Sequence, residues 1–362
     1  MAGIAIVGVI VIVVVIVSRP APGVSNGPSP SATVGPSSGT SSGGSPGSSG
    51  ASTAPGASAT LGQGGSPGAN GTGSPAGATA TPNPTGTPPG SVDRQPSFPI
   101  RAAFYYPWFP EAWKQQGMDP FTKYHPSLGF YDSGSASTIL AHIAAMQYGR
   151  IQVGINSWWG QGSRTDARVA SLLAAAGGGT FRWAVYYEAE GSSNPSVQQI
   201  SSDLAYLAKR YGANPAYLRV GGRFVVFVYG DPGDGCGMAD RWTQANTVHA
   251  YIVLKVFSGY KACAHQPDSW HQYAPAGADS NQAGFSYSIS PGFNKANEAA
   301  RLVRDTTRWA ASVRAMVASH EPWQLITTFN EWGEGTSVES ATEWQSASGH
   351  GAYLDALHSN GA

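Results

Sequence analysis

Between residues 102 and 331, short runs of apolar, β-branched and aromatic residues alternate with longer stretches whose apolar positions recur every three or four residues. The first pattern suits buried strands and the second amphipathic helices. It predicts strands at 102–108, 151–159, 181–188, 224–229, 251–257, 269–273, 284–290 and 324–331, and helices at 137–148, 166–176, 197–211, 297–319 and 352–357. Strands alternating with helices point to a parallel sheet with crossover helices, and eight such units in about 260 residues fit a (β/α)8 TIM barrel of the α/β class. The connections after the fifth and sixth strands contain Pro267, Pro275 and several glycines without a helical period. An open doubly wound sheet is therefore the alternative.

The chain ahead of this region obeys different physics. Residues 2–17 are an unbroken run of Ala, Gly, Ile and Val, which as a helix spans roughly 24 Å, short of the about 30 Å of a bilayer core. No Lys or Arg precedes the run and Arg19 follows it, so residues 1–19 are expected to be a signal peptide or a membrane anchor of open orientation. From 20 to 97 the chain is dominated by Gly, Ser, Thr, Ala and Pro, and no charge stands between Arg19 and Asp93. Such a segment buries too little apolar surface to offset its ordering entropy, which predicts a disordered linker with an r.m.s. span of about 50 Å. The globular domain is placed at 98–362. An extracellular or cell-surface location follows, secreted or membrane-anchored, with membrane contact through the N-terminal segment if it stays uncleaved.

Charge narrows the partners. Lys+Arg 21 balance Asp+Glu 21, leaving no general attraction for phosphate backbones, so a nucleic-acid partner is excluded. Trp 11 and Tyr 16 make the chain aromatic, and flat apolar rings suit sugars. Two cysteines exclude a four-thiolate zinc site. Cys236 and Cys263 follow the fourth and fifth strands, neighbours in a barrel, and in an exported protein are expected to form a disulfide. The stretch 230–235 is glycine-rich but lacks the Gly-Lys-Ser/Thr close of a phosphate loop. His265 with His271 is too thin a pair for a metal site, and no cofactor is expected.

In a parallel barrel ligands bind at the C-terminal strand ends. The first strand ends Tyr105-Tyr106-Pro107-Trp108, the second Ser157-Trp158-Trp159, the third Tyr187-Glu188-Ala189-Glu190 and the last Asn330-Glu331-Trp332-Gly333-Glu334-Gly335. These ends supply Tyr105, Tyr106, Trp158, Trp159, Asn330 and Trp332 as candidate substrate contacts. On a continuing strand, residues three apart face opposite sides. Gly333 and Gly335 can take positive φ, so a tight turn is expected to bring Glu334 back beside Glu331. Two close carboxyls cannot both ionise freely, which raises one pKa and yields a proton donor and a base, the pair that glycosidic cleavage needs. The competing reading makes Glu334 a solvated loop acid and Glu331 a helix cap. For Glu188, contact with a substrate hydroxyl competes with charge pairing to an arginine such as Arg223.

The run Asn330-Glu331-Trp332-Gly333-Glu334-Gly335-Thr336-Ser337-Val338-Glu339 resembles the signature of glycoside hydrolase family 99, the endo-α-mannosidases and endo-α-mannanases. Stretches at 104–108, 125–129, 157–159, 187–188, 217–219, 222–223 leading into 225–229, and 288–293 match further motifs in the same order. The resemblance implies a retaining endo-acting hydrolase on a (β/α)8 barrel, without a metal, cleaving an α-linked, mannose-containing glycan. It implies that Glu331 is the base on the sugar 2-hydroxyl, which attacks the anomeric carbon to give a 1,2-anhydro sugar. Glu334 then protonates the leaving oxygen and later activates water. It further implies that Glu188 contacts substrate, that Trp158 or Trp159 forms an aromatic wall, and that His125 and Tyr273 line the cleft. Gly333 stands where the mannosidases usually have histidine, a departure that bears on the sugar and linkage more than on the reaction type. The expected partner is an oligosaccharide or polysaccharide, met by a monomer. The alternative is a non-catalytic carbohydrate-binding or cell-wall-associated barrel.

Overall fold

The computed structural model describes residues 94–231 and 233–361. The expected signal or anchor at 1–19, and the linker up to residue 93, lie outside the described residues. Arg94 and Gln95, which composition assigns to the linker, are tied to the barrel. The Arg94 carbonyl accepts from Arg182, and Gln95 Oε1 accepts from the backbone N–H of Arg219.

The strands are β1 (Ile100–Tyr105), β2 (Val153–Trp158), β3 (Arg182–Tyr187), β4 (Arg219–Val220), β5 (Arg223–Val228), β6 (Tyr251–Lys255), β7 (Ser269–His271), β8 (Asp279–Gln282), β9 (Ser286–Ile289) and β10 (Trp323–Ile326). Eight of them fall on the predicted strands, seven of them shorter than predicted and β5 of equal length but one residue earlier. The short β4 and β8 pair antiparallel with β5 and β9. The helices are α1 (Ala136–Tyr148), α2 (Arg164–Ala176), α3 (Glu190–Ser193), α4 (Val197–Leu207), α5 (Cys236–Ala245), α6 (Thr306–Ser319) and α7 (Ala352–Asn360). α5 was not predicted. Glycine and charge at its start obscure a period that Met238, Ala239, Trp242 and Ala245 nonetheless bury. α6 starts at Thr306, later than the expected 297, because Asp305 caps it by accepting the backbone N–H of Arg308 at 2.7 Å.

The parallel strands run β7-β6-β5-β3-β2-β1-β10-β9. β1 pairs with both β2 and β10, with Ile100 opposite Trp323. First and last strands side by side bring the sheet round into a nearly closed barrel, which decides against the open sheet. Among the described residues no ladder joins β7 to β9. There the Ser288 hydroxyl donates to the carbonyl of Gln272 at 2.7 Å, and β8 lies on the free edge of β9. This seam is where the chain between β7 and β9 lacks a crossover helix.

Alternation along the strands sorts side chains into two cores. Phe104, Ile155, Tyr186, Phe227, Val253 and Trp323 point inward and pack together, while Ala103, Tyr105, Val185, Val226 and Leu254 point outward against the helices. The inner rings plug the barrel, with Phe104 4.7 Å from Tyr186 and Phe227 4.9 Å from Trp323 between centroids. The barrel interior is thus filled by side chains and holds no room for a ligand. Cys236 and Cys263 form the expected disulfide, closing a sequence separation of 27.

Candidate active site

The inward register continues past the strand ends and builds the site. Tyr106 follows Phe104, Glu188 follows Tyr186 and Tyr229 follows Phe227, so each projects over the mouth. They line a cleft together with Trp108, Trp159, Tyr273, Lys295, Glu331 and Glu334. The Tyr106 hydroxyl donates to that of Tyr273 at 2.8 Å, and the Trp108 indole donates to Ser157 at 3.0 Å. The indole nitrogen of Trp159 is buried without a hydrogen-bond partner among the described residues.

The last strand leaves the barrel early, and a turn then delivers the two glutamates to the same cleft. β10 ends at Ile326 rather than at the expected 331. Beyond it the N–H of Gly335 bonds the Trp332 carbonyl at 3.1 Å, and that of Thr336 the Glu331 carbonyl at 3.2 Å. The segment after β9 braces the outside: Asn294 and Ala296 donate to the carbonyls of Glu334 and Gly333 at 2.9 and 3.0 Å. The two glycines serve different needs. Gly335 adopts φ +65°, as expected, and a Cβ there would stand 2.6 Å from the Asn294 carbonyl oxygen. Gly333 is not at positive φ. A Cβ on it would lie 2.9 Å from the Phe121 ring and 3.2 Å from Glu331 Oε1, so glycine is present for close approach.

Electrostatics in the cleft favour protons on carboxylates. Among the described residues, Glu331 Oε2, Glu334 Oε2 and Glu188 Oε1 are buried without a hydrogen-bond partner. Burial pushes Glu188 up to about 8, against a hydrogen bond from Ser157 that lowers it. Glu331 is driven well above the carboxylate range by burial and then by Glu334. Burial raises Glu334 to about 7, held down by the ammonium of Lys295 and by Arg301. Glu331 and Glu334 titrate as a pair that retains a proton at neutral pH. Tyr106 and Tyr273 are raised well above 10 by burial and stay neutral donors.

Because the fold holds Glu188 neutral, its favourable contribution is complete below pH about 4.5 and is lost as pH rises through about 8. Glu188→Gln removes that titration. Its stability relative to the unsubstituted protein is expected to grow from pH 5 to pH 8 by roughly 2–4 kcal/mol and then level off. Denaturant unfolding at a series of pH values checks this; a difference independent of pH would show that Glu188 is ionised in the folded protein.

Of the residues singled out from the sequence, the structure brings Glu331, Glu334, Glu188, Tyr106, Trp159 and Tyr273 to the cleft. Five others lie elsewhere. Tyr105 is adjacent to Tyr106, and strand alternation turns it outward, where its hydroxyl sits 3.0 Å from His142 Nδ1. Trp158 is likewise outward, its indole donating to Asp166 at 2.9 Å. Asn330 does not line the cleft. It clamps the turn to the end of β1, accepting from the Tyr106 N–H at 2.7 Å and donating to the Tyr106 carbonyl at 3.0 Å. Trp332 is buried behind the turn, donating to Tyr131 and to Glu339 at 3.0 and 3.2 Å. His125 is exposed, its Nδ1 2.7 Å from Glu343 Oε1. Arg223 pairs with Asp268, leaving Glu188 free of the salt bridge that was the competing reading. His265 sits on the surface against Asp240 while His271 is inside the barrel.

Several cleft residues escaped the sequence reading. Tyr229 was legible, because it ends a predicted strand in the inward register. Phe121 and Lys295 come from loops with no periodic signal.

A (β/α)8 barrel with three glutamates, paired tyrosine hydroxyls and indole rings at its mouth is a scaffold for carbohydrate chemistry in general. Comparison with known proteins narrows the class. Residues 102–243 match the model of glycosyl hydrolase family 99. The glycoprotein endo-alpha-1,2-mannosidase of Rattus norvegicus is 23% identical over 297 residues, 68% of this chain and 62% of that protein. The Mus musculus protein of the same name is 24% identical over 299 residues, with the same coverage, 68% and 62%. The chain thus spans about three fifths of the length of these curated relatives. Among solved structures, the GH99 endo-alpha-mannosidase from Bacteroides thetaiotaomicron in complex with bis-tris propane superposes with TM-score 0.56 at 20% identity, covering 73% of this chain and 96% of that one. A glycoside hydrolase-like protein superposes with TM-score 0.55 at 15% identity, covering 73% and 94%. These superpositions show the shared barrel fold. The resemblance to glycoside hydrolase family 99 is shown by the family match and the relatives together. The family match ends at residue 243, ahead of the turn that carries Glu331 and Glu334.

Proposed function

We propose that the protein is a retaining, endo-acting glycoside hydrolase cleaving an α-linked, mannose-containing glycan, with Glu331 and Glu334 as its catalytic pair. The observation that carries the reading is the set of three glutamates that line one cleft, each with one carboxyl oxygen buried and, among the described residues, without a hydrogen-bond partner. Unpaired buried carboxyls are costly to a fold unless a ligand supplies their hydrogen bonds. The endo-alpha-mannosidase relatives and the family match favour this substrate class.

In the proposed reaction the Glu331 carboxylate removes the proton of the 2-hydroxyl, and that oxygen forms a bond to the anomeric carbon. The bond from the anomeric carbon to the leaving oxygen breaks as Glu334 donates its proton to that oxygen. A 1,2-anhydro sugar results. Glu334, now ionised, takes a proton from water, whose oxygen attacks the anomeric carbon and opens the small ring, while the acid form of Glu331 returns its proton to O2. Two inversions leave the anomeric configuration retained.

Without substrate, the two buried carboxyls hold a proton in common. A bound sugar redistributes it: a 2-hydroxyl donating to Glu331 favours the ionised form there, and a glycosidic oxygen accepting from Glu334 favours the acid form there. Lys295, which lines the cleft and is itself buried, steadies the carboxylate that Glu334 becomes after donation.

We also propose that the domain works outside the cytoplasm on the N-terminal tether, which the Cys236–Cys263 disulfide supports because such bonds persist in oxidising compartments. Among the described residues no helix is long and apolar enough to cross a membrane. Incubation with a panel of α-linked oligosaccharides, read by product mass, tests the activity. Internal cleavage of mannose-containing members is expected. Tight binding to such glycans without product would favour the non-catalytic barrel.

A further inference from the structure

The cleft has a second lobe of different charge. It opens at the barrel seam and meets the first lobe at Glu334, Tyr229, Tyr273 and Lys295. The first lobe is rich in carboxyls. The acidic or basic side chains lining the second, tyrosines apart, are Lys255, Lys295, Arg301 and, where the lobes meet, Glu334. Lys295 and Arg301 share Glu298, at 3.2 and 2.5 Å. Lys255 has no such partner. It closes β6 in the inward register of Val253, is 5% exposed and lines the lobe. Among the described residues its ammonium makes no hydrogen bond or ion pair and stands 5.5 Å from the Tyr229 ring. Asp231 and Asp234 influence it only at longer range, and Asp234 accepts instead from the backbone N–H of Asp231 at 2.6 Å.

The Lys255 ammonium lines the lobe without a counter-ion among the described residues, and an oxyanion entering the lobe would pair with it. We propose that the second lobe recognises an anionic substituent, a carboxylate or phosphate ester, on the sugar at the leaving-group side of the cleavage point, with Lys255 as its counter-ion. This deepens the hydrolase reading and rests on it for the side of the bond, since Glu334, the proposed proton donor, stands where the lobes meet. The substrate is then an acidic glycan, with neutral sugar over the three glutamates and its charge beyond Glu334.

The test is binding, not turnover, so it fails or succeeds separately from the catalytic reading. Three α-linked mannobiosides that differ only at the reducing-end sugar, neutral, 6-phosphorylated or oxidised to the uronate, are titrated calorimetrically into the full chain. At least one acidic form is expected to bind about 10-fold or more tightly than the neutral one, the scale of one hydrogen bond to a charged group. Which of the two does so identifies the oxyanion. Lys255→Met should bring that ratio close to one and Lys255→Arg should retain part of it. If Lys255→Met does not fold, raising salt from about 50 mM to about 500 mM must compress the ratio in the unsubstituted protein. A ratio near one in the unsubstituted protein, or one unchanged by Lys255→Met, overturns the proposal.

Discussion

Glu334→Gln is expected to lower hydrolysis of an unactivated α-linked oligosaccharide about 1,000-fold, within the range that general acid–base groups contribute, while the substrate still binds. The amide keeps the shape of the side chain and its place between the two lobes but has no proton to give to the leaving oxygen. A glycosyl fluoride needs no such proton, so its first step should be far less impaired. Comparing burst kinetics on fluoride and oligosaccharide separates the two demands. Equal losses on both substrates, or unchanged activity on the oligosaccharide, would remove Glu334 from the acid role.

The second large effect concerns the sugar's own oxygen. In the proposed reaction the nucleophile is O2 of the substrate, so an otherwise identical 2-deoxy substrate should show no measurable turnover, a loss of about 1,000-fold or more in kcat/KM. Glu331→Gln should match that loss on the normal substrate, because the amide cannot remove the hydroxyl proton. Intact-mass measurement supplies the contrary outcome. A glycosyl group found covalently attached to Glu331 after incubation with a 2-deoxy-2-fluoro sugar would mean that the carboxylate is itself the nucleophile.

Period-two alternation located Glu188, and applied one step further it separates Tyr106 from Tyr105, whose side chains leave the strand on opposite faces. Trp158 and Trp159 divide in the same way, one against Asp166 and one in the cleft. Asn330 and Trp332 flank the two glutamates in sequence but hold the turn in place, through Tyr106 on one side and through Tyr131 and Glu339 on the other. A run of polar and aromatic residues around a reactive pair therefore mixes residues that meet a ligand with residues that brace them, and composition does not separate the two.

Local pattern alone determined the eight parallel strands, the mouth at which the acids gather, and the need for a turn at Gly335, because alternation, helical period and positive φ are properties of neighbours in the chain. Tertiary structure decided the rest. Closure of β1 on β10, the absence of a ladder at the seam among the described residues, the approach of Phe121 that requires Gly333, and the placing of Lys295 near Glu334 and of Lys255 in the second lobe all depend on segments distant in sequence. Their meeting is set by packing and burial, which raise the carboxyl pKa values only once the barrel has assembled and excluded water from around them.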